Sequence, residues 1–182
     1  MSAEPRPPLR PPVHVVTMGV TATGKSTVAE RLAKQLDLVF VEGDDLHPPA
    51  NIEKMSAGVP LDDDDRRPWL QALADLLAEQ HRAGTSAVVT CSALKRSYRD
   101  ILRSGLPDSD IFFLHLHADY EVLLQRMGER TRHFMPSSLL QSQLDTLEPL
   151  GDDERGVLID VADPPDTVVA KSVKAVRAAY AG

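Results

Sequence analysis

Gly19-Val20-Thr21-Ala22-Thr23-Gly24-Lys25-Ser26 fills the pattern G-x-x-x-x-G-K-[ST] at every fixed position. The chemistry of that spacing is phosphate binding. Glycines let the backbone curl until successive N–H groups face phosphate oxygens, and a helix beginning there adds its partial positive charge. The spacing assigns Lys25 to the β- and γ-phosphates of a nucleotide and the Ser26 hydroxyl to Mg²⁺, with Thr27 placed to donate to the α-phosphate. An ordinary strand-to-helix turn that carries a lysine is the alternative, and the flanking segments argue against it. Ala22 and Thr23 stand where many such loops carry another glycine, so Ala22 must take its backbone geometry without glycine's freedom.

The second chemical segment is Glu42-Gly43-Asp44-Asp45-Leu46-His47-Pro48, which packs three carboxylates and a histidine together. A carboxylate facing a phosphate loop can hold an attacking hydroxyl in line and take its proton. A solvated acidic turn is the competing reading. If the segment is extended, Asp45 points away from its neighbour Asp44. A phosphate loop alone does not separate kinases from GTPase switches or motor ATPases. No N-K-x-D guanine-reading motif is present, and the one D-x-x-G, Asp153 to Gly156, falls too late to be a switch element. The chain is short for an assembly ATPase with accessory subdomains. A small-molecule kinase is the economical reading.

Other clusters weigh less. Asp62-Asp63-Asp64-Asp65 ahead of a helix is read as solvated and dipole-complementing, and as a metal site only secondarily. His115 and His117 share one face of a strand without a third ligand nearby in sequence. Cys91 reads as a small buried hydrophobe, and Trp69 as packing. Arg96, Arg99 and Arg103 lie along one helix and are expected to decorate its exposed face, with Arg96 able to lean toward an anion.

The elements that must position these residues alternate strand and helix. Val13–Met18 is a β-branched run that reads as a buried parallel strand. Val28, Leu32 and Leu36, with Ala29 and Ala33, mark a helix. Further strands are expected at 38–41, 87–91, 111–114 and 157–159. Trp69, Leu73, Leu76 and Gln80 mark a long helix starting around Pro68. Asp119 suits a helix N-cap, and Val169, Val173, Val176 and Tyr180 form the stripe of a closing helix. This pattern predicts a three-layer α/β/α domain, 13–182, around a five-stranded parallel sheet, with a small helical lid near 126–150 and ligands at the carboxyl ends of the strands.

The whole chain has 182 residues, 42% apolar and 26% charged, and suits one domain with one substantial core. A net charge of −7 argues against nucleic acid and anionic membranes as partners. Any cation recognising an anion must then be local. One cysteine excludes an internal disulfide and suits a reducing, cytoplasmic setting. Residues 1–12 carry five prolines and no apolar stretch, so they read as an extended polar tail rather than a signal peptide.

Gly43–Leu70 (GDDLHPPANIEKMSAGVPLDDDDRRPWL) followed by Cys91–Arg103 (CSALKRSYRDILR) resembles the gluconate kinase family. MGVTATGKST before these blocks and Arg132–Leu150 after them extend the resemblance over nearly everything beyond residue 12. The resemblance implies phosphorylation of D-gluconate at O6 by ATP, Mg²⁺ dependence, a nucleoside-monophosphate-kinase-like fold and a homodimer. It also implies roles. Asp44 matches the acid that orients and deprotonates the acceptor hydroxyl, whereas Glu42 stands where relatives often have aspartate, which puts a direct metal role for it in doubt. His47, Lys54 and Arg66 match the acceptor side, as do Ser92 and Lys95 of the CSALK loop. Arg126, Arg130 and His133 match adenine-side and lid positions, and Thr131-Arg132 replaces a lysine-glycine pair. Two other readings remain open: a kinase for another small acid such as shikimate, which should lack the HPxxNIxKM block, and a nucleotide-binding regulator without turnover.

Overall fold

The computed structural model describes residues 9–129 and 137–180. Five strands, β1 (His14–Met18), β2 (Val39–Val41), β3 (Ala87–Thr90), β4 (Ile111–His117) and β5 (Gly156–Asp160), form one sheet in the order β2-β3-β1-β4-β5. Every pairing is parallel, with Val16 opposite both Val89 and Phe113. Strands β1, β3 and most of β4 are buried along their length, as expected of a sheet covered on both faces.

Side-chain alternation along the central strands sends Val15, Val88, Phe112 and Leu114 to one face. There they meet α1 (Lys25–Leu36) and α7 (Pro165–Tyr180). Val28, Leu32 and Leu36 of α1 and Val169, Val173, Val176 and Tyr180 of α7 are the buried stripes. Leu9 packs against this core, so the tail read as extended over 1–12 is anchored at its inner end, while residues 1–8 lie outside the described structure. Val16, Met18, Val89 and Phe113 point to the opposite face, covered by α3 (Asp63–Arg82) and α4 (Arg96–Arg103). A third apolar cluster sits over the carboxyl ends of the strands. It joins Val20, Ala22 and Leu94 to Leu123 of α5 (Tyr120–Glu129) and Leu140 of α6 (Ser137–Thr146).

Two expectations are corrected. The long helix begins at Asp63, not near Pro68, because Asp62 and Asp65 form a reciprocal capping box that starts it more than a turn earlier. Pro68 therefore lies inside α3, on its solvent side, where one missing N–H is tolerated. The second correction is α2 (Pro49–Ser56), which has no counterpart in the sequence expectations. Its one buried residue is Asn51, so no apolar stripe announces it.

Candidate active site

The phosphate loop leaves β1 at Gly19 and enters α1 at Lys25, with Gly24 at the N-cap. Gly19 (φ 144°) has no room for a side chain, since a Cβ would lie 2.4 Å from the Leu116 carbonyl oxygen. Ala22 does take the left-handed conformation, φ 69°. Its methyl group and Val20 are buried against Leu123 and Leu140, so packing against the helices above offsets the backbone cost. Thr23 is buried and donates to the Val20 carbonyl at 2.9 Å, closing the loop on itself. The Lys25 ammonium arches back onto the carbonyls of Gly19 and Val20, 3.0 Å from each. The Thr21 N–H donates to the Gln143 side-chain oxygen of α6 at 2.7 Å, the kind of bond a phosphate oxygen accepts from such a loop. Thr27 is exposed in the first turn of α1.

The acidic segment after β2 closes against this loop. Ser26 donates its hydroxyl to one Glu42 oxygen at 2.7 Å, and Thr90 at the end of β3 donates to the other at 2.6 Å. The Gly43 N–H donates in turn to Thr90 Oγ1 at 3.0 Å. A side chain at Gly43 is excluded, because a Cβ would lie 1.8 Å from the Thr90 carbonyl oxygen. A serine hydroxyl touching a carboxylate beside a phosphate cradle is a hard-oxygen donor set, which fits Mg²⁺ brought in with a nucleotide.

Gly43–Leu46 is a 3₁₀ turn and not extended chain. Successive residues of such a turn diverge by roughly 120°, so Asp44 and Asp45 still face different directions. The Asp44 side chain is 81% exposed, open to a ligand, with His47 Nε2 3.9 Å from its Oδ1. The Cys91 thiol, pushed up to about 12 by burial, feels the charges of Lys25, Asp44 and Arg66, so these three converge around the end of β3.

The cations assigned to the acceptor are held by the start of α3. Lys54 pairs with Asp65 at 2.8 Å and Lys95 with Asp63 at 3.2 Å. Tyr98 donates to Asp63, and Arg66 both donates to the Tyr98 oxygen at 3.3 Å and lies over its ring. The acidic run read as solvated thus binds the lysines through two of its members. Hydrogen bonds from Tyr98 and Lys95 lower the Asp63 carboxyl, and those from Lys54 and the Asp62 backbone lower Asp65.

The CSALK loop is clamped from below. The Ser92 carbonyl accepts from the Gly19 N–H at 3.3 Å, and Ala93 is left-handed at φ 47°. Arg99 is wholly buried, which corrects its expected place on an exposed helix face. Its guanidinium donates to the carbonyls of Ala93 (2.8 Å) and Leu94 (3.3 Å) and to the buried Glu154 (2.6 Å). Arg96 reaches Asp153 at 2.8 Å from the partly exposed side of the same helix. Arg126 on α5 donates to the Val161 carbonyl beyond β5. Arg130 and His133 lie outside the described residues.

Four residues with no sequence assignment belong to this constellation: Thr90, Tyr98, Asn51 and Gln143. Thr90 could have been flagged as a hydroxyl ending an apolar strand. Asn51 carries no such signal, since His47 precedes α2 and the two meet only because the 3₁₀ turn delivers His47 over the start of that helix.

Residues 15–150 match a family model described as an AAA domain. The chain is 52% identical over 163 residues to a gluconokinase of Gluconobacter oxydans, covering 90% of each sequence. It is 44% identical over 163 residues to the thermoresistant gluconokinase of Escherichia coli, covering 89% of this chain and 92% of that one. A solved gluconokinase from Sinorhizobium meliloti superposes with a TM-score of 0.86 at 48% identity, covering 94% and 95% of the two chains. A shikimate kinase from Aquifex aeolicus shares the fold at 16% identity and a TM-score of 0.58. With relatives this similar over nearly its whole length, the chain that carries this phosphate loop, acidic turn and CSALK clamp belongs to the gluconokinase family.

Proposed function

We propose that this protein transfers the γ-phosphate of ATP to the 6-hydroxyl of D-gluconate, with Asp44 as the base. The observation that carries this reading is the junction of Ser26, Glu42 and Thr90, which sets the Asp44 turn directly beside the phosphate loop. The transfer is an in-line displacement. The gluconate hydroxyl oxygen bonds to the γ-phosphorus, the bond from that phosphorus to the bridging oxygen breaks, and ADP departs. The hydroxyl proton passes to the Asp44 carboxylate. Loop N–H groups from Thr21 to Thr27 bind the phosphates, and Lys25 swings from the Gly19 and Val20 carbonyls onto the β- and γ-oxygens.

Ser26, with its hydroxyl bonded to Glu42, would hold the Mg²⁺ that accompanies the nucleotide, and that ion would neutralise phosphate charge. Arg66, Lys54, Lys95, Ser92 and His47 receive the sugar acid. The lysines exchange carboxylates of α3 for that of the substrate, so the acidic net charge is no obstacle to an anionic acceptor. The family resemblance assigns Arg126 to the adenine side, and extends that assignment to Arg130 and, for the lid over 126–150, to His133, both outside the described residues. We further infer a homodimer working in the cytoplasm. The buried free thiol of Cys91 suits a reducing compartment, and among the described residues no helix is long and apolar enough to cross a membrane.

The deciding experiment is ADP release with Mg-ATP across gluconate, related sugar acids, shikimate and nucleosides. Gluconate should give the highest kcat/KM. Faster turnover of shikimate would replace the acceptor assignment, and nucleotide binding without turnover of any acceptor would favour a regulator. Light scattering on the eluting enzyme tests the dimer.

A further inference from the structure

His47 is held on one face and along one edge. Its ring stacks on Trp69 with centroids 4.1 Å apart and planes 18° from parallel. Trp69 is itself pinned, donating its indole N–H to the Gly43 carbonyl at 2.7 Å. The ring edge is fixed by the buried Asn51, whose Nδ2 lies 3.2 Å from His47 Nδ1 and 2.9 Å from the Asp65 carbonyl oxygen.

The second of those contacts decides the chemistry of the first. A backbone carbonyl only accepts, so the Asn51 atom facing it is the amide nitrogen and not the amide oxygen. That nitrogen has two hydrogens and no lone pair to offer, so His47 Nδ1 must be an acceptor. The ring proton then sits on Nε2, which faces Asp44 Oδ1 at 3.9 Å. Protonating Nδ1 as well would set N–H against N–H in a buried position. Burial lowers the affinity of His47 for a second proton, with Asp44 opposing and Arg66 reinforcing that effect.

We propose that Asn51 is a positioning residue that locks His47 as the neutral Nε2–H tautomer, making the imidazole a hydrogen-bond donor to the acceptor hydroxyl oxygen while Asp44 takes that hydroxyl's proton. This rests on the gluconate kinase reading above. A hydroxyl being deprotonated needs one acceptor for its hydrogen and one donor toward its lone pair. An oxygen about 2.8 Å from both His47 Nε2 and Asp44 Oδ1 would subtend roughly 90° between them, near a hydroxyl's own bond directions. The donor also favours the negative charge that develops on the oxygen. With the opposite tautomer, Nε2 would present a lone pair to that oxygen and compete with Asp44 as the base.

The tautomer is read directly by long-range ¹H–¹⁵N correlation on histidine-labelled full-length enzyme, with the His47 signals assigned by their loss in His47→Gln. Wild type at pH 7 should show Nε2 protonated and Nδ1 unprotonated, with or without any acceptor bound. That readout stands even if gluconate proves to be the wrong acceptor. Asn51→Asp offers only acceptor oxygens and should move the proton to Nδ1 or protonate both nitrogens. Its kcat with gluconate should fall about tenfold or more, the worth of one misdirected hydrogen bond, while KM for ATP stays within about twofold. Asn51→Ala removes the constraint without opposing it and should lie between the two. If Asn51→Asp does not fold, wild type and Asn51→Ala decide. An Nδ1–H tautomer in wild type overturns the proposal, as does unchanged kcat in a variant whose tautomer has moved.

Discussion

The Ser26 hydroxyl donates to the Glu42 carboxylate across 2.7 Å, joining the phosphate loop to the acidic segment that follows β2. Glu42 is not free to drift, since Thr90 holds its other oxygen at 2.6 Å. Glutamate is one methylene longer than aspartate. Here the extra length is absorbed by the Thr90 anchor, and the carboxylate still arrives at Ser26.

Glu42→Gln should therefore weaken the use of Mg-ATP. The amide keeps the shape but loses the charge that faces Ser26, and losses of about 10–100-fold are typical for partners that orient metal ligands. Titrating Mg²⁺ at fixed ATP should show the half-saturating Mg²⁺ concentration rising. An unchanged Mg²⁺ profile would limit Glu42 to holding the turn in place.

Asp44→Asn should lower kcat with gluconate by about 10²–10⁴-fold, the range for a general base. ATP affinity should hold, because the phosphate loop is untouched. Asp45→Asn should be the milder change, since the 3₁₀ turn points it elsewhere. A dead Asp45→Asn beside a normal Asp44→Asn would move the base by one residue.

Lys25→Ala should abolish transfer by removing the cation that reaches the transferring phosphate. Circular dichroism would confirm that the variant is folded. Near-normal turnover in a folded Lys25→Ala would mean that the loop is not the phosphate cradle.

How much of this was legible without coordinates depended on what each side chain packs against. Val28, Leu32 and Leu36 announce α1 because burying them is the reason that helix forms, and the same holds for Val169, Val173 and Val176 in α7. Lys25 and Ser26 were legible because phosphate chemistry fixes their spacing. Asn51 and Arg99 were not, for a shared reason. Each is a buried polar group with a partner far along the chain, 14 residues away for Asn51 and 55 for Arg99, and no local period records such a bond. The acidic run 62–65 is exposed over 62–64 and starts α3, as its composition indicates, whereas its pairing with Lys54 and Lys95 arises only through tertiary contact. Pro68 suggests a later start for α3 because proline is a familiar first-turn signal, while the capping box lies in the acidic run ahead of it.

The Arg99–Glu154 pair gives a stability test. Burial alone would raise the Glu154 carboxyl, but the Arg99 hydrogen bond, the Gly151 N–H and Arg96 outweigh it and lower it. Glu154→Gln leaves the Arg99 charge buried without its counterion and should cost about 3–5 kcal/mol. Asp153→Asn breaks only the pair that Arg96 makes on the exposed side and should shift the urea midpoint far less. Urea denaturation of the two variants should show that contrast. Equal midpoints would mean that the buried pair is no better coupled than the surface one.

The last expectation concerns acid. His14, wholly buried in β1, is lowered to about 4 by burial and by neighbouring His81, against the pull of Asp110. Its Nδ1 has no hydrogen-bond partner among the described residues, so protonating it would place an unsatisfied charged donor in the core. His115 in β4 is likewise lowered to about 4, by burial, then His117 and Arg99. An unfolded chain binds these protons near pH 6.5 while the native chain refuses them until about 4. Between those values the unfolded state holds more protons, so stability rises with pH and is lost as pH falls from 6.5 toward 4. Each histidine can contribute a slope of up to about 1.4 kcal/mol per pH unit within that window. Urea midpoints measured at pH 7, 6 and 5 should therefore decline steadily. Exchanging His14 for Gln, an amide that does not titrate, should remove the His14 share of that slope. A slope unchanged in His14→Gln would show that this histidine already takes up its proton in the folded protein.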